Sequence, residues 1–356
     1  MKMSACWWVV VMTALGFASP PIGLGAPPTD APAAITWPAG LPKYDHIVIV
    51  IEEDKDYDQI IGNQAAAYIN GTLRKEGANL TRMFGEEHNS QGNYFWLFSG
   101  SNQNIGFKDV VPTDVNHQGP FTTPNLGVAL IHKGLSFKGY SEDLPEIGSR
   151  AQFGPDANGD KNYARKHNPW VSFRNVPNDD PATSSNLTLK EFPTDPAKFS
   201  TLPTVSIVIP GLKNDMHDGD PTVSIPNGDA WLKQHLDPYY QWAKTHNSLL
   251  TLTWDENDDK WKDPETGANS SFQGLTDPFA APTGQLGKNK QNRIATIFAG
   301  ARIKPGDYAE GKGVTHVNLL RTIEAMYGLP KSGKQQQNAA AGGITDDAII
   351  TDIFTP

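Results

Sequence analysis

Four short apolar runs constrain the fold of this 356-residue chain more than any other feature. Each is bounded by turn residues, and they read HIVIVI (46–51), TVSIVI (204–209), SLLTLTW (248–254) and RIATIFAG (293–300). Continuous rather than alternating apolar residues are typical of strands that are buried on both faces of a parallel sheet. The sequence therefore predicts an α/β fold with a mostly parallel central sheet sandwiched by helices.

Helical patterns lie between these runs. The segment 64–77 ends in a glycine suited to a helix C-terminus, and an apolar stripe over 319–326 is followed by Gly328. In the segment 229–246, Pro238 is expected to end one helix and, with Asp237 as its N-cap, to begin another.

Two long intervals lack such patterns. Residues 78–200 and 257–292 are rich in Gly, Pro, Asn and Asp, and they are predicted as loops that carry surface and site residues.

The N-terminus has the features of a secretory signal peptide. Residues 1–19 place one lysine ahead of an apolar run over 6–17, which is too short to span a bilayer. We expect a signal peptide and Pro/Ala-rich leader over 1–33, with the cleavage site left open, and a single domain over 42–356. The only cysteine, Cys6, lies in the signal, so the exported chain would have no disulfide. A secreted or periplasmic protein is predicted.

The charge balance narrows the class of partner. The net charge is −9 and no Lys/Arg cluster stands out, which argues against a nucleic-acid partner and against stable membrane association. An acidic chain favours cations over polyanions. The sequence leaves the oligomeric state open.

Acidic residues follow two of the apolar runs directly. Glu53 and Asp54 come after the first run, and Asp255 and Glu256 come after the third. The carboxyl ends of strands in open α/β sheets face the ligand crevice, and carboxylates this crowded stay ionised only beside a cation. Oxygen ligands select a hard divalent ion, so a metal site is implied. The alternative is a pair of solvated turns whose aspartates cap the next helix.

The second apolar run leads to Asp215, His217 and Asp218. His and Asp at a strand end can bind metal, hold a phosphate or move protons. An Asx-rich turn with an exposed histidine is the alternative. Ser90 lies in a His/Asn-rich stretch without the GxSxG pattern, which leaves an α/β-hydrolase little support.

Seven segments in order resemble the phosphoesterase family that contains acid phosphatases and bacterial phospholipases C, within the alkaline-phosphatase-like superfamily. The resemblance spans residues 44–329. The segments are HIVIVIEEDKDYDQIIGN, HNSQGNYFWLFSGS, YSEDLP, YARKHNPWVSF, IPGLKNDMHDG, LTWDENDD and THVNLLRTIEAMYGLP. The first segment resembles the acid phosphatase branch more than the phospholipase branch.

The resemblance implies a metal centre and a nucleophile. It makes Glu53, Asp54, Asp255 and Glu256 metal ligands, and it makes Ser90 the nucleophile with its oxygen on or near the ion. It does not identify the divalent ion, so Ca²⁺, Mg²⁺, Mn²⁺ and Zn²⁺ are all open.

The resemblance also implies a phosphate pocket. His167 with Asn168, and His217 with Asp218, would line it, and Asn93 would help to hold a phosphate oxygen. His217 or His167 would protonate the leaving alkoxide.

Two of these segments depart from the family pattern. Asp54 stands where the family usually has Asn, which adds a negative charge to the centre. The nucleophile segment reads HNSQGNY where HPSxPNY is usual, so two prolines that stiffen the loop are missing.

These features together predict a secreted, metal-dependent phosphomonoesterase of the acid phosphatase type that acts on a phosphate ester through a phosphoserine. One alternative is a phospholipase C-type phosphodiesterase, which needs an apolar rim that Trp96, Trp170 and Trp261 could supply. The other is a non-catalytic, cation-stabilised secreted binding protein.

Overall fold

A central sheet organises the chain in the computed structural model, which describes residues 36–105, 109, 121–258, 292–309, 311 and 313–355. The strands are β1 His46–Glu52, β2 Ala78–Leu80, β3 Met83–Phe84, β4 Phe137–Ser141, β5 Phe153–Pro155, β6 Lys161–Ala164, β7 Asn186–Thr188, β8 Val205–Ile209, β9 Ser248–Trp254, β10 Arg293–Ile294, β11 Thr296–Gly300, β12 Gly306–Tyr308 and β13 Val314–Thr315. The α-helices are α1 Tyr57–Ile60, α2 Ser90–Ser99, α3 Leu126–His132, α4 Pro221–Ala243, α5 His316–Tyr327 and α6 Gln337–Ala341.

The central sheet has eight strands in the order β12-β2-β11-β9-β1-β8-β4-β7. β1 pairs in parallel with β8 and β9, and β4 pairs in parallel with β8 and β7. Among its described strands only β11 runs antiparallel to its neighbours. The mostly parallel α/β fold predicted from the apolar runs is confirmed.

The middle of this sheet is buried on both faces. Every residue of β8 and β9 is buried, and in β1 only the first residue is partly exposed. Because side chains alternate between the two faces of a strand, continuous burial means that both faces are covered. These three buried parallel strands are adjacent, and their carboxyl ends lie side by side.

Two of the predicted helices are present. α5 ends at Gly328, whose φ of 61° is the left-handed conformation of a helix C-terminus. The segment 64–77 is helical over 67–76, with a π-helix over Ile69–Arg74. The glycine that ends it has a further role, because a Cβ at Gly77 would lie 2.5 Å from the carbonyl oxygens of Leu73 and Phe298.

The predicted break at Pro238 is wrong. α4 is one helix with Pro226 and Pro238 inside it, and Asp237 accepts a hydrogen bond from Gln241 rather than capping a new helix. A proline removes one hydrogen bond from the helix interior. The buried residues on either side of it, Leu236 and Tyr239 among them, hold the helix against the sheet despite that loss.

The prediction of loops over 78–200 is also wrong, because this interval holds six strands and the helices α2 and α3. Most of the interval 257–292 and the leader over 1–33 lie outside the described residues. The described residues from Trp37 onward form one compact unit.

Candidate active site

The carboxyl ends of β1 and β9 bring four carboxylates together. Glu53 and Asp54 follow β1, and Asp255 and Glu256 follow β9, its parallel neighbour. Asp255 Oδ1 accepts hydrogen bonds from the backbone N–H groups of Asp54 at 3.1 Å and Glu256 at 2.7 Å. The backbone thus fixes the carboxylate of Asp255 between the two chain segments.

Two overlapping groups of side chains at this edge could hold a cation. Glu53, Asp54 and His217 form one, and Asp54, Asp255 and Glu256 form the other, with candidate ligand atoms within 4.8 Å of one another in each. Asp54 belongs to both.

The chemistry of this donor set fits a divalent metal. Asp54 Oδ1 and Asp255 Oδ2 are buried without a hydrogen-bond partner among the described residues, which is costly unless something else binds them. Burial, followed by the neighbouring carboxylates, raises the pKa values of Asp255 and Glu256 well above their usual range. A bound cation would supply the missing positive charge and restore the ionised forms.

Ser90 is the first residue of α2, where the helix dipole favours negative charge. Its hydroxyl donates a hydrogen bond to Glu53 Oε2 at 2.9 Å and accepts one from Lys166 Nζ at 3.1 Å. The preceding residue, Asn89, has a φ of 94°, which non-glycine residues rarely adopt. This backbone turn points the Ser90 side chain at the carboxylates.

A buried layer lies behind Glu53. The Tyr94 hydroxyl donates to Glu53 Oε1 at 2.5 Å, and His167 Nε2 lies 3.2 Å from the same oxygen. The rings of Tyr94 and His167 stack with their centroids 5.1 Å apart. His167 is 1% exposed, and burial lowers its pKa to about 4, so the ring is neutral at neutral pH. His167 therefore positions Glu53 from behind.

His217 approaches from the loop after β8. Its Nε2 lies 2.7 Å from Asp54 Oδ2, and its Nδ1 lies 2.8 Å from Asp218 Oδ1. The hydrogen bond to Asp54 raises the pKa of His217 to about 10. Asp218 is largely exposed and orients the imidazole, while Asp215 fixes the loop by accepting from the His217 backbone N–H.

These groups surround a small cavity of about 190 Å³. Its lining includes Asp54, His88, Ser90, Asp109, Lys166, His217 and Glu256. Of the residues predicted from sequence, Asp54, Ser90, His217 and Glu256 thus reach one common space.

Two predicted phosphate-pocket residues have their side chains in the scaffold instead. Asn93 Oδ1 accepts from the backbone N–H groups of Glu86 and Glu87, and its amide donates back to the Glu87 carbonyl. Asn168 accepts from the Ser141 hydroxyl and donates to the Ala164 carbonyl. Neither asparagine lines the cavity, so each holds the loops that do.

The profile of the family described as "Phosphoesterase family" matches residues 63–330. The chain belongs to the phosphoesterase family. It is 40% identical over 295 residues to a phosphatidylinositol-3-phosphatase of Mycobacterium tuberculosis, an alignment that covers 83% of this chain and 81% of that protein. It is 26% identical to a phosphate-repressible acid phosphatase of Penicillium chrysogenum, covering 82% of this chain but 61% of that longer protein. The phosphoesterase is thus a hydrolase of phosphoric ester bonds.

A solved structure supports the same fold. A protein in the alkaline phosphatase superfamily from Vibrio parahaemolyticus superposes with a TM-score of 0.51 at 12% identity, covering 82% of this chain and 68% of that one. The phosphoesterase therefore has the alkaline-phosphatase-like α/β fold that the resemblance implied.

The apolar rim suggested for a phospholipase is not formed by the described tryptophans. Trp170 is fully buried and donates to Asn186, so the prediction that it could supply an exposed apolar rim is wrong. Trp96 is partly buried and donates to Glu87, and Trp261 lies outside the described residues. No Trp, Tyr or Phe of the described residues lines the cavity.

Sequence reasoning missed Lys166, His88 and Asp109 at this site. Lys166 immediately precedes His167 in the segment YARKHNPWVSF. His88 begins the segment HNSQGNYFWLFSGS, and its Nδ1 lies 2.8 Å from Glu256 Oε2. A positively charged residue within a segment that resembles the phosphoesterase family was the sequence signal that could have identified Lys166. Asp109 belongs to none of the quoted motifs, and only the fold reveals it.

Proposed function

We propose that this phosphoesterase is a secreted, metal-dependent phosphomonoesterase in which Ser90 is the nucleophile. One observation carries the proposal. The Ser90 hydroxyl lies at the N-terminus of α2 between Glu53 Oε2 and Lys166 Nζ, in a cavity that also receives Asp54 and Glu256. A serine between a carboxylate and a cation has both a proton acceptor and a group that stabilises its alkoxide.

Glu53, Asp54, Asp255 and Glu256 would hold the metal, and His217, whose Nε2 lies 2.7 Å from Asp54 Oδ2, would keep its proton. When bound, a divalent ion would act as a Lewis acid that polarises phosphoryl oxygens and lowers the pKa of a nearby hydroxyl. The four carboxylates suit a hard divalent ion such as Ca²⁺, Mg²⁺ or Mn²⁺, and carboxylates also occur among the ligands of Zn²⁺.

The serine step can be written from residues of this chain. Ser90 Oγ attacks phosphorus, the Oγ–P bond forms, and the bond from phosphorus to the alkoxide oxygen breaks. The hydrogen bond from Ser90 to Glu53 Oε2 gives the hydroxyl proton a carboxylate to move to. Water then attacks phosphorus and gives one proton to the histidine that protonated the alkoxide. The Oγ–P bond breaks, phosphate leaves, and Ser90 recovers its proton from Glu53.

Of the two histidines predicted as the acid, the geometry favours His217. It lines the cavity, its side chain is 31% exposed, and Asp218 orients its ring. His167 is buried behind Glu53 and does not reach the cavity. His217 would therefore donate the proton to the leaving alkoxide.

The cavity and the relatives together support a monoesterase over a phosphodiesterase. A volume of about 190 Å³ accommodates a phosphoryl group, and the relatives are named phosphatidylinositol-3-phosphatase and acid phosphatase. The relative named phosphatidylinositol-3-phosphatase suggests that phosphoinositide monoesters are among the substrates. Such a lipid would place its phosphate in the cavity and keep its acyl chains outside.

Export is proposed from the leader sequence over 1–33. No helix in the described part of the chain is long and apolar enough to cross a membrane.

A substrate panel tests the proposal. Purified protein is assayed with p-nitrophenyl phosphate, bis(p-nitrophenyl) phosphate, phosphatidylcholine and phosphatidylinositol 3-phosphate, after dialysis against chelator and re-addition of single divalent ions. Metal-dependent turnover of the monoesters is expected. Preferential diester cleavage would favour the phospholipase C alternative, and no turnover with any ion would favour the non-catalytic binding protein. Cell fractionation tests export.

A further inference from the structure

Lys166 is the only Lys or Arg among the described residues that line the cavity. Its Nζ lies 3.1 Å from Ser90 Oγ and 2.8 Å from Asp109 Oδ2. Its side chain is 23% exposed, so the ammonium group is open to the cavity without lying on the free surface. The nucleophile and this cation thus face the same space.

The position of Lys166 is fixed by its neighbours. It is the middle residue of the 3₁₀ turn Arg165–His167, which is anchored by the buried His167 ring. Asp109 Oδ1 accepts from the Gln91 backbone N–H, while its other oxygen accepts from Lys166. The ammonium is therefore tied to the first turn of α2, beside the serine, before any substrate arrives.

The charge at the site creates a need for such a cation. A divalent ion would offset only two of the charges on the four carboxylates Glu53, Asp54, Asp255 and Glu256. A monoester dianion entering this space would be repelled unless other positive groups faced it, whereas a diester carries only one negative charge. Lys166 contacts Ser90 Oγ within the cavity, and His217 lies beside Asp54.

We propose that Lys166 is a catalytic residue that binds the non-bridging phosphoryl oxygens and makes the site selective for dianionic monoesters over monoanionic diesters. The inference rests on the proposed function. On substrate entry, the ammonium exchanges part of its contact with Asp109 and Ser90 for a phosphoryl oxygen. It stabilises the charge of the transferring group, which is greater in a monoester.

The test compares Lys166→Gln with wild type on p-nitrophenyl phosphate and bis(p-nitrophenyl) phosphate, and measures inhibition by inorganic phosphate. We expect kcat/KM for the monoester to fall by about 100-fold or more, the range for loss of one preorganised oxyanion donor. The diester should lose about tenfold or less, because it presents less charge. The inhibition constant for phosphate should rise, and Lys166→Arg should recover part of both effects.

Lys213→Gln is the matched control. Lys213 also bridges two carboxylates, those of Asp156 and Asp160, but it does not line the cavity. This substitution should change neither the monoester-to-diester ratio nor phosphate inhibition. Melting temperatures of all variants separate a loss of folding from a loss of binding.

Two results would overturn the inference in different ways. If wild type hydrolyses monoesters but Lys166→Gln keeps the wild-type ratio and phosphate inhibition constant, Lys166 only anchors Asp109, and the proposed function stands. If wild type hydrolyses no phosphate ester with any ion, the proposed function fails and the inference fails with it.

Discussion

Ser90 Oγ donates a hydrogen bond to Glu53 Oε2 across 2.9 Å, although 37 positions separate the two residues in the chain. This contact joins the N-terminus of α2 to the carboxyl end of β1. It connects the candidate nucleophile to the candidate metal centre, so a substitution at either one should alter the geometry of the other.

Replacement of Ser90 should remove catalysis with little effect on folding. We expect Ser90→Ala to lower kcat by about a thousandfold or more, which corresponds to about 4 kcal/mol of transition-state stabilisation. Mass spectrometry of acid-quenched wild-type enzyme should find phosphate on Ser90.

Ser99→Ala is the control, because Ser99 lies at the other end of α2 and its hydroxyl donates to the Phe95 carbonyl. It should cost stability rather than rate. Phosphate on another residue, or a Ser90→Ala enzyme within tenfold of wild type, would assign the attack elsewhere.

Removal of the metal should abolish activity and lower the melting temperature. Without an ion, the carboxylates at the carboxyl ends of β1 and β9 repel one another or must bind protons. A ligand present at 100 times its Kd stabilises the folded state by about 2.7 kcal/mol, so the shift should be measurable by calorimetry. Full activity in protein that elemental analysis finds metal-free would refute this.

Asp54→Asn should weaken metal affinity but leave measurable activity, since an amide oxygen still coordinates a hard cation. Isothermal titration with the activating ion measures the change. Asp237→Asn makes the same chemical exchange in α4, where Asp237 accepts from Gln241 and does not line the cavity, and it should leave metal affinity unaltered. Equal affinities for wild type and Asp54→Asn would place Asp54 outside the ligand set.

Gly92→Ala should destabilise the nucleophile helix. A Cβ at Gly92 would lie 1.7 Å from Glu87 Oε1, and Glu87 is held by hydrogen bonds from Trp96 and Asn102. Overpacking of this kind costs about 1–3 kcal/mol, which urea unfolding would measure.

Gly71→Ala is the matched control, because no atom lies within 4 Å of its Cβ position. It should leave stability unchanged or raise it by about 0.4–1 kcal/mol. If both variants unfold at the same urea concentration, the contact with Glu87 does not constrain α2.

The part of the fold predicted from sequence is the part in which local pattern and burial agree. The runs that became β1, β8 and β9 are mostly apolar and do not alternate with charged residues, because the strands are buried on both faces. Their parallel pairing brings their carboxyl ends to one edge, so the meeting of Glu53 and Asp54 with Asp255 and Glu256 followed from topology.

What the sequence did not reveal depends on distant contacts. Tertiary packing keeps α4 continuous through Pro238, against the local preference of proline. Side-chain direction is equally non-local. Lys166 and His167 are adjacent, yet one faces the cavity and the other lies buried behind Glu53. Only the surrounding elements decide which of the two neighbours faces the cavity.

Three non-glycine residues in loops of the site have a positive φ. They are Asp54 at 46° after β1, Asn89 at 94° before α2 and Met216 at 72° after β8. Such conformations cost about 1–3 kcal/mol each and persist only because the surrounding structure enforces them. Local opening of these loops releases this strain energy, so it costs less free energy than separation of the buried strands, which requires the whole sheet to open. Mild heat or denaturant should therefore inactivate the enzyme while its sheet is still intact.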